Sequence, residues 1–161
     1  MSKPTPLQVS VTSVIAAPAE VVYDLLGDIT RMSEFSPENT SGTWLGDATG
    51  PIVGARFKGT NAIGSTKWST RPTVTAADRG RLFVFKVPGK SGAEWRYELT
   101  PVAGGTKVTE SMRQTKPSPL PIRFLQRRAG VTDRAEHLRA AMTVTLQRLA
   151  AVAERHPTTV G

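Results

Sequence analysis

The chain has no cysteine, only two histidines and no apolar stretch long enough to span a bilayer. The missing thiols exclude disulfides, thiolate metal sites and a cysteine nucleophile. His137 and His156 lie too far apart for a paired-histidine metal motif. No phosphate-binding glycine loop and no G-x-S-x-G elbow is present, so no cofactor and no metal is implied. The opening residues, Met1 to Pro6, lack the apolar stretch of a secretory leader, and a cytoplasmic protein is expected. What remains is an ordinary soluble composition, 39% hydrophobic and 21% charged, in 161 residues. That length suits one domain, 1–161, with an ordered core from about 7 to 154.

Charge is the one skewed quantity. The net charge is +8, and the stretch from Arg113 to Arg139 carries seven Lys/Arg against two acidic residues. A solvated basic surface and a contact for an anionic membrane or acidic partner are both consistent with it. Nucleic acid is an unlikely partner, because no reading motif accompanies the charge.

Periodicity is plainest from Ala93 onward. Ala93, Trp95, Tyr97 and Leu99 alternate with Glu94, Arg96 and Glu98, and Gly104-Gly105 separates this run from a second, Thr106 to Met112. The two arms predict an antiparallel hairpin with one aromatic and one charged face. Upstream, Leu7 to Ile15 alternates as a first strand. Ala17-Pro18-Ala19-Glu20 opens a short helix with Val21, Val22, Leu25 and Leu26 on its apolar side, and Asp28 caps a second short helix. Strands follow at about 41–48, 54–62, 65–76, 81–87, 93–101 and 106–115. Pro72 marks a bulge or kink in the fourth of the seven strands. Thr132-Asp133-Arg134-Ala135-Glu136 is a capping box for a closing helix whose stripe is Leu138, Met142, Thr145, Leu149 and Val152. The tail from His156 is expected to fray. The order predicts an α+β fold with an antiparallel sheet gripping the last helix.

Four segments together resemble the START-like (SRPBCC) superfamily, in its bacterial polyketide cyclase/dehydrase branch. They are Ala17–Leu26, Gly54–Gly59, Trp95–Leu99 and Gly105–Ser111. The resemblance spans roughly residues 7–154. It implies a helix-grip fold, a seven-stranded sheet wrapped around the C-terminal helix with a hydrophobic cavity between them. Activity is left open, since the superfamily holds lipid carriers, hormone binders and aromatase/cyclases.

Strand phase nominates the wall of such a cavity. The candidates are Phe57, Asn61, Trp68, Thr70, Phe83, Phe85, Trp95, Tyr97, Glu110, Met112 and Met142. Mostly apolar with a few polar points, this set suits a small-molecule pocket, and it equally suits a solid core. Glu110 is the sharpest of them, because it is in phase with Val108 and Met112 and so aims a carboxylate inward. Burial of that charge requires a hydrogen bond, a counter-charge or neutralisation. Tyr97, Asn61 or a ligand hydroxyl is the expected partner. His137 flanks the helix stripe and reads as a surface residue. The interior arginine implicated in cyclases of the superfamily has no match here, since Arg71, Arg96 and Arg113 fall on outward phases.

The expected function is therefore binding or carriage of a small apolar or amphipathic molecule, such as a lipid, polyketide or isoprenoid-like compound. A polyketide cyclase or dehydratase using Glu110 and Tyr97 is one alternative. Another is an interaction protein using its basic face. In the segment Lys116 to Arg128, Ile122 and Phe124 sit among Arg123, Arg127 and Arg128. It reads as local packing or as a lid that touches anionic membrane, making the protein membrane-peripheral.

Overall fold

A computed structural model describes residues 6–89, 92–115 and 133–155. The basic segment with Arg123, Arg127 and Arg128, and the tail from His156, lie outside the described residues. Strand β1 (Gln8–Ile15) leads into helix α1 (Ala19–Leu26) and a 3₁₀ helix (Ile29–Glu34). Then come β2 (Asn39–Trp44), β3 (Phe57–Ile63), β4 (Thr66–Thr70), β5 (Thr73–Asp78), β6 (Leu82–Val87), β7 (Ala93–Val102) and β8 (Gly105–Gln114). Helix α2 (Arg134–Ala153) closes the chain. This is the α+β, helix-grip order expected from the sequence.

The strand count differs. Eight strands form a five-stranded sheet, β1-β8-β7-β6-β5, and a three-stranded sheet, β2-β3-β4, all antiparallel. The run 65–76 breaks at Arg71-Pro72 because proline has no N–H to donate to a ladder. Beyond the break the chain changes partners. β4 pairs with β3, whereas β5 pairs with β6. An isolated Arg56–Thr73 bridge and the Val74 N–H donating to the Ala55 carbonyl (2.8 Å) stitch the two sheets together.

The β7–β8 hairpin has the expected register, with Trp95 opposite Met112, Tyr97 opposite Glu110 and Leu99 opposite Val108. Its turn needs glycine twice over. Gly104 has φ +85°, and a β-carbon on Gly105 would run into the Ile15 carbonyl of the neighbouring strand. Thr106, fully buried beside it, donates from Oγ1 to the Ala17 carbonyl (2.8 Å), which fixes the β1–α1 corner against β8.

Helix α2 starts as its capping box predicts, with the Asp133 carboxylate accepting from the Glu136 N–H at 3.1 Å. Its buried face is Leu138, Met142, Thr145, Leu146, Leu149 and Ala153. Ala153, one turn beyond Leu149, takes the end of the stripe, and Val152 packs at its edge only in part. The C-terminal half of α2 and the inner face of α1 (Val22, Leu25, Leu26) cover Ile15, Phe83, Leu99 and Val108 in the main core. A smaller cluster joins Val9 and Met112 to Leu138 and Met142. Among the described residues, no helix is long and apolar enough to cross a membrane.

Candidate functional site

The inward faces of β6, β7 and β8 form successive rows across the sheet, and the rows have different fates. Leu99 and Val108 are buried in the main core, as is Phe83, which stands one row along, opposite Tyr97. In the opposite direction Phe85, Trp95 and Met112, followed by Val87, Ala93 and Gln114, line a cavity of about 420 Å³. Phe57, Gly59, Asn61 and Ile63 of β3 and Thr66, Trp68 and Thr70 of β4 face it from the other sheet. The cavity therefore lies between the two sheets. Helix α2 gives it only its first residue, Arg134.

Tyr97 and Glu110 mark the boundary between filled and hollow. Both line the cavity, and the next inward pair along the hairpin, Leu99 and Val108, does not. They form its floor. From Glu110 to Gln114, four residues at about 3.4 Å each, the cavity wall runs about 14 Å toward the end of the hairpin. An aromatic row borders it, with ring centroids 5.2 Å apart for Phe57–Phe85 and 6.4 Å for Phe85–Trp95, and Trp44 continues the row behind Phe57 at 5.7 Å.

Glu110 is 3% exposed, and its Oε2 accepts a hydrogen bond from the Tyr97 hydroxyl at 2.9 Å. Its other oxygen, Oε1, has no partner among the described residues. Burial raises the carboxyl from 4.5 to about 8, with the tyrosine bond opposing the shift only in part. The same burial, together with Glu110 itself, pushes the Tyr97 hydroxyl well above its ordinary value. At neutral pH the pair is predominantly a neutral acid hydrogen-bonded to a neutral phenol.

Nine of the eleven nominated residues line the cavity: Phe57, Asn61, Trp68, Thr70, Phe85, Trp95, Tyr97, Glu110 and Met112. Phe83 and Met142 do not. Phe83, 0% exposed, stacks with Tyr97 at 6.2 Å on the core side of the boundary. Met142, 1% exposed, is sealed between α2 and β8 beside Met112 and Leu138. Both are on inward phase, but the space in front of them is occupied.

A polar cluster was not anticipated. Glu38 and Arg134 both line the cavity, with Arg134 donating from Nη1 to Glu38 Oε1 (2.7 Å) and from Nη2 to Oε2 (3.3 Å). His137 Nε2 lies 2.9 Å from the same Glu38 Oε1, so this histidine is a half-buried partner and not a free surface residue. Arg71, Arg96 and Arg113 do stay out of the wall, and among the described residues the arginine that reaches it, Arg134, comes from a helix start. The capping box located that start, but the pairing with Glu38, 96 residues away, has no local signal. Asn39, opposite Asn61, completes the polar side, its Nδ2 donating to the carbonyls of Ser41 (3.1 Å) and Thr60 (3.2 Å). Among the described residues no three His, Asp or Glu side chains gather at metal-ligand spacing.

A helix-grip fold hollowed between its sheets defines a class of ligand-enclosing proteins, and sequence comparison narrows the class. The chain belongs to the family described as polyketide cyclase / dehydrase and lipid transport, which matches residues 6–154. It is similar to a polyketide-cyclase-like protein of Corynebacterium glutamicum, with 32% identity over 95% of this chain and 92% of that one, and a TM-score of 0.56. The fold is shared with the di-domain aromatase/cyclase StfQ of the steffimycin pathway (TM-score 0.71, 18% identity), covering 92% of this chain and 51% of that chain. It is also shared with major latex-like protein 151 of Panax ginseng (TM-score 0.67, 13% identity), covering 92% and 97% of the two chains. Among curated proteins, none matches the sequence.

Proposed function

We propose that this protein binds or carries a small hydrophobic or amphipathic molecule, such as a lipid, polyketide or isoprenoid-like compound, in the cavity between its sheets. One observation carries the reading: half of a continuous inward face is packed solid while the other half encloses about 420 Å³ behind an aromatic wall. A concave, mostly apolar space with a few polar points has the character of a small-molecule site. The family description, which joins cyclases to lipid transport, supports it. Organic extraction of purified protein followed by mass spectrometry tests it. Recovery of one apolar compound in near-stoichiometric amount is expected. Absence of any extracted compound, together with failure of apolar fluorophores to bind, would contradict it.

The second reading, a cyclase or dehydratase acting on a bound polyketide, is favoured by Glu110 itself. A carboxyl with a pKa of about 8 has both its acid and its base form within reach near neutrality, as proton transfer requires. Turnover of a presented polyketide that is lost in Glu110→Gln supports this reading. Binding without turnover leaves carriage.

A further inference from the structure

The floor of the cavity has an unmet hydrogen-bonding requirement. Glu110 accepts from Tyr97 on Oε2, and that leaves Oε1 without a partner in a site that admits no counter-charge. Every element around it is uncharged at that level. β7 offers Tyr97, β1 places Val11 directly opposite, and the α2 face over Met112 consists of Leu138 and Met142. An ionised carboxylate there would pay desolvation with one phenol as its only relief. The neutral acid, with Oε2 already accepting, carries its proton on Oε1 and needs an acceptor.

Arg134, Glu38 and His137 satisfy one another on a different part of the wall, and the other charged residue of the lining, Lys67, is an exposed residue of β4. Asn39 spends its donors on backbone carbonyls and Asn61. The unused polar capacity that lies beyond the apolar walls of Phe85, Trp95 and Met112 is at Glu110. Along the hairpin, the apolar stretch of Phe85, Trp95 and Met112 lies between Gln114 and that oxygen.

Resting on the ligand-binding reading above, we propose that Glu110, held by Tyr97 at the floor of the cavity, donates a hydrogen bond to a carbonyl oxygen at the inner end of an otherwise apolar ligand. Ketones, enones and quinones fit this description. A simple hydrocarbon leaves the oxygen unmet, and a carboxylate or ammonium terminus brings a charge into a site with nothing to balance it. The protein thus selects by the polarity of the ligand's leading atom as well as by its girth.

The test compares two probes of nearly the same shape, 2-acetylnaphthalene and 2-isopropenylnaphthalene, which differ by C=O against C=CH₂. Binding is read by calorimetry and Trp fluorescence at slightly acidic pH. Wild type is expected to bind the acetyl compound about three- to tenfold tighter, the worth of one neutral hydrogen bond. Its bound carbonyl stretch should move to lower frequency relative to a hydrocarbon solvent. Glu110→Gln, whose amide still donates, should keep the preference, and Glu110→Met should abolish it while leaving the isopropenyl compound bound. Equal affinities in wild type with an unshifted carbonyl stretch overturn the proposal and leave the ligand cavity standing, since that oxygen would then be satisfied by a buried water. Failure of both probes to bind wild type overturns the cavity reading and this proposal with it. The wild-type comparison needs no variant to fold.

Discussion

The two halves of the inward sheet face share strands, alternation and residue types, yet one is a core and the other a container. On the filled side, Phe83, Leu99 and Val108 meet Leu146, Leu149 and Ala153 of α2 and Val22 and Leu26 of α1. On the hollow side, Phe85, Trp95 and Met112 border the cavity, Phe85 meets Phe57 of the second sheet at 5.2 Å, and α2, which packs Leu138 and Met142 against Met112, brings only Arg134 to the cavity wall. The contrast shows that alternation decides which side chains point inward, whereas the elements laid across them decide whether the space is filled. One short helix and one long one can cover one end of a sheet and leave the other to a ligand.

That contrast predicts unequal costs for truncating aromatics. Phe83→Ala removes a fully buried ring from the packed half and should cost about 3–5 kcal/mol of stability, measured by urea unfolding. Its effect on the probe affinity of molecules that still fold should be slight. A loss below about 1 kcal/mol would erase the distinction between the halves.

The boundary residue makes stability depend on pH. The unfolded chain releases the Glu110 proton near pH 4.5, whereas the folded protein keeps it until about 8. Its contribution is therefore complete below about 4.5, declines as pH rises through that window and is gone above about 8. Unfolding free energies of wild type and Glu110→Gln, compared across the window, should diverge by a few kcal/mol, with the wild type falling relative to the variant. Parallel curves would mean a solvated carboxylate.

The Glu38 cluster ties the start of α2 to the entrance of β2 on the hollow side. Glu38→Gln leaves Arg134 and His137 without their acceptor charge and should cost about 1.5–3 kcal/mol. Thermal unfolding reads the loss, and an unchanged midpoint would show a solvated pair. Trp95→Ala should be mildest for the fold, about 1–2 kcal/mol, because its half-buried ring borders open space and leaves less packing to lose. The same change should weaken apolar probe binding several-fold. The reverse pattern, a severe loss of stability with intact binding, would assign Trp95 to the core.

The sequence was most informative where local chemistry decides the structure. The phase of Glu110, the glycine turn and the Asp133 cap are all read within a few residues, whereas Tyr97 was one of several partners open to Glu110 until the hairpin register placed it opposite. Pro72 was legible as an irregularity. That it divides one strand into two, each in a different sheet, depends on hydrogen bonds to β3 and β6 that no local pattern encodes. Phe83 and Phe85 have the same phase and both belong to the main core, yet only Phe85 also reaches the cavity wall, a difference that alternation does not encode. Glu38 and Arg134 were missed because strand alternation cannot nominate a residue before β2 and another at a helix start.

The most direct test of the hollow half is an NMR titration of isotope-labelled protein with 2-acetylnaphthalene. Saturable shifts are predicted at Trp68 and Trp95 indole N–H groups and at the Met112 methyl, with Val108 and Leu149 methyls unmoved. Shifts spread evenly over both groups, or none at any concentration, would contradict a protein divided between a solid core and a ligand cavity.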